Sequence, residues 1–204
     1  MKNKTNKINL AYVLSVLVIL CSCQNKESKS RENFEEIKKT NSENIFDLFN
    51  SGEYNKFIEL AEAEWSNSKD KSGLLVPLSV AYSYTKNFEK GLFFSNEMLK
   101  LEPKNYQALF SKANCFLYLE KIDSAEYCYK KVLEINPYYA RANLNLAQVY
   151  LIKGDNQNAI SQYIDALELF HNNKFKDEVI LYSKRVLEIE PNNKIAKKYL
   201  ELYQ

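Results

Sequence analysis

From residue 72 to residue 173 the apolar positions recur at the three- and four-residue spacing of amphipathic helices, interrupted by short polar turns. Leu75, Leu78 and Tyr82 make one such face; Leu109, Ala113 and Phe116 make another; Leu146, Ala147 and Tyr150 make a third. Between them run second faces, built from Gly91, Ser95 and Met98, then Ala125, Tyr129 and Val132, then Ala159, Tyr163 and Ala166. The pattern repeats with a fixed shift of 34. Pro103 and Pro137 are separated by that same shift, each closing a helical stretch that ends Leu-Glu-Pro or Ile-Asn-Pro. A constant period of 34 predicts stacked helix–turn–helix units and an all-α fold. Within one unit, Lys153-Gly154-Asp155 predicts the turn, with Gly ending one helix and Asp starting the next.

The period fades at both ends. Residues 38–71 keep a turn at Asn50-Ser51-Gly52-Glu53-Tyr54 and place Ala61 and Trp65 on an apolar face, but Phe57 and Glu64 occupy positions expected to be small. Towards the C-terminus, Val179 to Pro191 reads as another second helix. Its closing proline is out of register, since one period after Pro137 falls on His171 and two periods fall beyond the end of the chain. About one helix's worth of sequence is therefore missing, which pairs 157–170 with 177–190 and leaves 194–203 as a closing helix. Lys194, Lys197, Lys198 and Glu201 give that helix a polar side suited to a cap. Pro77 is expected in the first turn of its helix, where a missing N–H is tolerated, and His171 is expected in a solvated loop.

These positions resemble the tetratricopeptide repeat. Repeat 106–139 carries Leu109, Ala113, Phe116, Ala125, Tyr129, Val132 and Pro137 at its signature places, with Lys112 out of class. Repeats 72–105 and 140–173 follow it, 38–71 is a divergent first repeat, and 174–204 an incomplete repeat with its cap. The resemblance implies a right-handed superhelical solenoid of antiparallel helix pairs over 41–204. It further implies that the first helix of each pair lines a concave groove that takes a partner's peptide or helix. The groove residues implied are Tyr84, Phe110, Asn114, Leu117, Tyr118, Arg141, Leu144 and Gln148. A two-carboxylate clamp found in chaperone-binding members does not carry over. Asn114 and Asn145 fall at its two Asn positions, but Phe110 replaces its first Lys and the third first-helix is the one the sequence lacks.

The N-terminus has a different character. Lys2, Lys4 and Lys7 precede an apolar run from Ile8 to Leu20 that is shorter than the roughly 20 residues needed to span a bilayer. That is the layout of a secretory signal. Leu20-Cys21-Ser22-Cys23 resembles the lipobox of bacterial lipoproteins, which implies a signal peptide over 1–22 and lipidation of Cys23. The polar, charge-mixed composition of the residues that follow suits a tether over 23–40, with a helical stretch expected around 31–39. Gln24 is not the Asp associated with inner-membrane retention. The resemblance therefore points to attachment to the outer membrane, facing the periplasm or, as the alternative, exposed at the cell surface.

Composition narrows the function. The chain carries 28 Lys+Arg and 26 Asp+Glu; residues 1–22 hold three lysines and no acid, leaving 25 basic and 26 acidic groups. Such a balance carries no basic stripe for nucleic acid. A single histidine, His171, excludes His-pair metal sites, and the four glycines form no phosphate-cradling loop. Cys115 and Cys128 are expected to be buried free thiols. The expectation is a protein-binding module with no cofactor, no small-molecule substrate and no catalytic role, anchored to the envelope and acting as an adaptor or assembly factor for envelope proteins. A self-assembling structural lipoprotein is the alternative.

Overall fold

A computed structural model describes residues 45–203. The expected signal peptide, the expected lipidation at Cys23 and the expected tether with its short helical stretch fall outside the described residues. The chain divides between Ser51 and Gly52 into two units. In the first, helix α1 (Ile45–Asn50) is closed by Ser51, whose N–H bonds Asp47 O at 2.8 Å and whose hydroxyl bonds Leu48 O at 3.1 Å.

The second unit is a solenoid of antiparallel helices: α2 (Tyr54–Asn67), α3 (Ser72–Tyr84), α4 (Phe88–Leu101), α5 (Tyr106–Tyr118), α6 (Ile122–Ile135), α7 (Ala140–Ile152), α8 (Asn156–Asn172), α9 (Lys176–Ile189) and α10 (Lys194–Tyr203). Each packs on the next, and α3 also packs on α5. The starts of α3, α5 and α7 keep the period of the sequence, as do those of α4, α6 and α8. Among the described residues no helix is long and apolar enough to cross a membrane.

Two kinds of turn alternate, and the sequence dictates both. Within a pair the chain turns through a left-handed residue: Lys86 (φ 63°), Glu120 (φ 57°) and Gly154 (φ 75°), with Gly52 (φ 81°) in the same register. The next N–H then reaches back five residues, Asn87 to Tyr82 O at 2.8 Å, Lys121 to Phe116 O at 2.8 Å and Asp155 to Tyr150 O at 2.9 Å. This closure satisfies the last helical carbonyls. Glycine takes the conformation freely; Lys86 and Glu120 carry a steric cost of about 1–2 kcal/mol each. Between pairs the chain leaves the helix through an extended residue before proline, Glu102 (φ −130°, ψ 88°) and Asn136 (φ −131°, ψ 88°), because the proline ring disfavours helical geometry in the residue before it.

The C-terminal irregularity follows from the same two turns. Lys174 (φ 62°) with Phe175 N–H to Phe170 O at 2.9 Å is a turn of the first kind, and Glu190 (φ −130°, ψ 91°) before Pro191 is one of the second. Helix α8 thus has within-pair turns on both sides. It is the second helix to α7 and the first helix to α9, packing on each. No helix is lost from an otherwise regular repeat; one 17-residue helix serves two pairs.

Two local expectations are corrected. Pro77 is the sixth residue of α3, beyond its first turn, because the helix starts at Ser72, whose N–H and hydroxyl are held by Asp70 Oδ1 at 3.0 and 2.7 Å. His171 is not in a solvated loop. The extension of α8 to Asn172 makes it helical and half-buried, with Nδ1 2.7 Å from the Tyr203 hydroxyl and the ring against Tyr199 and Tyr203. That contact ties the end of α8 to the end of α10.

The core follows the small and large positions of the repeat. Ala113 and Ala125 are fully buried with Tyr129, Leu146 and Val149. A second cluster joins Ala147, Tyr163, Leu167, Val179, Val186 and Ala196 across α7 to α10.

Candidate functional site

The three first-helices α3, α5 and α7 contain no Asp or Glu; their only charged residues are Lys112 and Arg141. Second helices α4 and α6, by contrast, carry acids and bases together, Glu89, Lys90, Glu97 and Lys100 on α4 and Asp123, Glu126, Lys130, Lys131 and Glu134 on α6, while α8 carries the acids Asp165 and Glu168. Charge is segregated by helix type. A surface poor in charge beside charged ones is suited to contact with another protein, since charged residues are depleted at the centres of such interfaces.

The groove residues implied by the sequence fall into two groups. Tyr84, Tyr118, Arg141 and Gln148 are exposed, Tyr84 by 65 % and Tyr118 by 67 %. Phe110, Asn114, Leu117 and Leu144 are half-buried and also serve packing: Phe110 and Leu117 cover the α5–α6 core, and Leu144 covers the α7–α10 core.

The exposed tyrosines are held in place. Tyr84 stacks on Tyr54 at 4.6 Å with ring planes 6° apart, and Tyr118 stacks on Phe88 at 5.1 Å and 9°. Both pairs join the last residue of a first helix to the first residue of the preceding second helix, so each rung is displaced from the other by one repeat. One period on, the register places Ile152 opposite Ile122, with Ile152 exposed. Sequence reading names the outer ring of each rung and misses Tyr54 and Phe88, although the period that relates them was available as a signal. Phe110 is gripped by Tyr129 (5.8 Å) and Tyr139 (5.0 Å, edge-on), and Tyr139 also meets Tyr106 at 5.4 Å. Burial pushes the Tyr139 hydroxyl above its ordinary pKa while nearby Arg141 opposes the shift.

Asn114 is at the centre of a hydrogen-bond triangle. Its Oδ1 accepts from the Tyr129 hydroxyl at 2.6 Å and from Asn145 Nδ2 at 2.9 Å, while Asn145 also donates to Tyr129 Oη at 3.2 Å. Both Asn residues are thereby tied to the buried Tyr129 and fixed relative to α6. Burial raises the Tyr129 pKa far above that of a free phenol, only partly offset by Asn145.

Nothing in this arrangement prepares a nucleophile. Cys115 and Cys128 are buried free thiols, both pushed up in pKa by burial, and Cys115 Sγ lies 3.0 Å from Ser83 Oγ. The thiol, not the thiolate, is favoured at neutral pH. Among the described residues no group of three or more His, Cys, Asp or Glu gathers to hold a metal.

Fold and turn geometry define the class: an all-helical solenoid of the tetratricopeptide type. The tetratricopeptide repeat model matches residues 106–139, the bounds read from Pro137, and a second tetratricopeptide repeat model matches 128–161. The chain carries tetratricopeptide repeats. Among solved structures, it superposes on MamA with a TM-score of 0.60 at 15% identity, over 76% of this chain and 89% of that one. It superposes on the type III secretion translocator chaperone SycD of Yersinia enterocolitica with a TM-score of 0.56 at 20% identity, over 60% and 86%. At those identities the likeness is one of fold. By sequence, the chain is 27% identical over 118 residues to anaphase-promoting complex subunit CDC16 of Saccharomyces cerevisiae, spanning 57% of this chain and only 14% of that protein's length.

Proposed function

We propose that this protein is a protein-interaction adaptor or assembly factor that takes a partner's peptide or helix on the concave surface formed by α3, α5 and α7. The observation that carries the reading is the acid-free first-helix surface with its exposed, pre-stacked tyrosines. Tyr84 and Tyr118 offer large contact area at low entropic cost, because stacking on Tyr54 and Phe88 already restricts them. Arg141 and Gln148 add polar contacts along the same line, while Phe110, Asn114, Leu117 and Leu144 form the floor. A bacterial envelope setting, with the chain anchored through lipid on Cys23 to the outer membrane, is supported by the lipobox-like sequence of residues 20–23. The likeness in fold to SycD, a translocator chaperone, supports a role in handling other proteins. No cofactor, small-molecule substrate or nucleic acid enters this reading.

Photo-cross-linking in intact cells tests it, with the probe at Tyr118 and a comparison site at Glu134 on α6. A discrete heterologous band from Tyr118, absent from Glu134, is the expected result. A band only at twice the chain's mass would favour self-assembly, to which exposed Leu181, Ile195 and Leu202 on α9 and α10 would contribute. No band from Tyr118 would remove the groove from consideration.

A further inference from the structure

The central repeat departs from its neighbours at one place. Counting by 34, Lys112 on α5 corresponds to Leu78 on α3 and Leu146 on α7, both almost fully buried. Cys128 on α6 corresponds to Phe94 on α4, and Leu99 to Trp65. In the preceding repeat those positions are filled by aromatic rings. Phe94 stacks on Tyr82 at 5.6 Å and meets the edge of Trp65 at 5.2 Å. Replacing Phe by Cys takes away a ring's volume, and replacing Leu by Lys puts an amine beside the space. The result is an open pocket of about 340 Å³, lined by Lys112, Phe116, Asp123, Ser124, Tyr127 and Cys128.

The pocket's charges are unbalanced. Asp123 is turned outward and bonded to Lys153 at 2.9 Å, so its carboxylate is already engaged. Lys112 is half-buried, with Nζ 5.8 Å from the centre of the Phe116 ring, and makes no ion pair among the described residues. A half-buried ammonium in an apolar recess is stabilised by an anion that enters with it. Positions that break the local rule are expected at functional or strained sites.

We propose that this recess is a second docking site, apart from the concave surface, for an aromatic side chain of a partner protein that has a carboxylate beside it in sequence. The ring occupies the space that Phe94 fills one repeat earlier, sliding between Phe116 and Tyr127 over the Cys128 thiol. The carboxylate meets Lys112. The site lies on residues of α5 and α6 that are not among the groove set, so the array holds partners from two sides.

The test uses 15N-labelled protein and three capped tripeptides: acetyl-Glu-Phe-Glu-amide, acetyl-Lys-Phe-Lys-amide and acetyl-Glu-Ala-Glu-amide. The first should shift resonances of Phe116, Tyr127 and Cys128, with the other two binding about tenfold more weakly, the scale of one charge-assisted contact or one buried ring. Lys112→Leu, which restores the residue of the flanking repeats, should bring the Glu and Lys peptides to equal affinity. Cys128→Phe should refill the recess and abolish the shifts; if that variant does not fold, the Lys112→Leu comparison decides alone. Equal binding of the three peptides, shifts that map elsewhere, or no shift at millimolar peptide would overturn the proposal. Tighter binding of free 3-phenylpropionate than of the Glu-Phe-Glu peptide would overturn it too, marking a small aromatic acid rather than a protein as the ligand.

Discussion

Gly91→Leu should unfold the N-terminal half of the array, and Gly91→Ala should weaken it measurably. Gly91 lies on α4 where α3 and α5 both come close. A Cβ placed on it would stand 2.7 Å from Cys115 Sγ, 3.3 Å from Ser79 O and 3.3 Å from Ser83 Oγ. The surroundings cannot yield easily. Ser79 Oγ donates to Gly91 O at 2.8 Å and pairs with Ser111 Oγ at 2.6 Å, and Ser95 Oγ bonds the same carbonyl at 3.0 Å. Overpacking of a tight contact costs about 1–3 kcal/mol, and alanine returns about 1 kcal/mol in helix propensity. The net loss for Gly91→Ala is then about 1 kcal/mol, and for leucine more than about 3 kcal/mol. Urea unfolding of Gly91→Ala in the native and Cys115→Ala backgrounds isolates the contact. The loss should largely vanish once Sγ is gone, and an unchanged penalty would mean that Ser79 O, not Cys115, sets the limit.

The same contact shows what the sequence could and could not disclose. The repeat register pairs Gly91 with Cys115, Ala125 with Val149, and Phe57 with Ala81. All of these residues are buried, and small on one side is matched by larger on the other. Taken one repeat at a time, Phe57 looks like degeneration at a position that should be small. By the register that sets Gly91 against Cys115, its counterpart is Ala81, and the sizes are exchanged. A repeat pattern lists positions one by one, whereas packing acts on pairs, so compensation of this kind is invisible until both partners are aligned.

Helix spans, the repeat between 106 and 139, and the break in period near the C-terminus were legible because they rest on local periodicity and on proline. The pairing of α8 with α9 as well as α7 followed from that break, whereas the extension of α8 to Asn172, which makes His171 helical, did not. The left-handed residues make the pairing plain: Lys174 follows Gly154 by the same offset that carries Pro191 past position 171, where the period would have put a proline. Glycine announces such a turn in sequence; Lys86, Glu120 and Lys174 do not. Of the groove residues, the exposure of Tyr84 and Tyr118 agreed with their repeat position. The second duty of Asn114 went unread because its partners, Tyr129 and Asn145, are 15 and 31 residues away.

Tyr129→Ala should be among the most damaging single substitutions in the chain, at about 3–5 kcal/mol, the range for removing a buried aromatic ring. Tyr129 is fully buried at the junction of α5, α6 and α7, against Phe110 on one side and the two asparagines on the other. Tyr129→Phe separates the ring from the hydroxyl. It should cost only about 1 kcal/mol, because Asn145 still donates to Asn114 at 2.9 Å and no acceptor is left empty. The two variants also differ from the native chain in their response to alkali. Burial raises the folded-state pKa of this phenol above the ordinary value of about 10. Its contribution is therefore complete below about pH 10 and is lost as pH rises towards the folded-state value, since the unfolded chain sheds that proton first. Stability measured by denaturant from pH 8 to 11 should fall less steeply for Tyr129→Phe than for the native protein; identical slopes would show that other tyrosines carry the alkaline limb. Loss of the hydroxyl should also loosen Asn114 and Asn145 on the first-helix surface while leaving Tyr118 stacked on Phe88. Cross-linking from Tyr118 in the Tyr129→Phe background then distinguishes the surfaces. An undiminished band would place the partner on the tyrosine rungs, whereas a weakened one at unchanged stability would place it on the asparagine floor between α5 and α7.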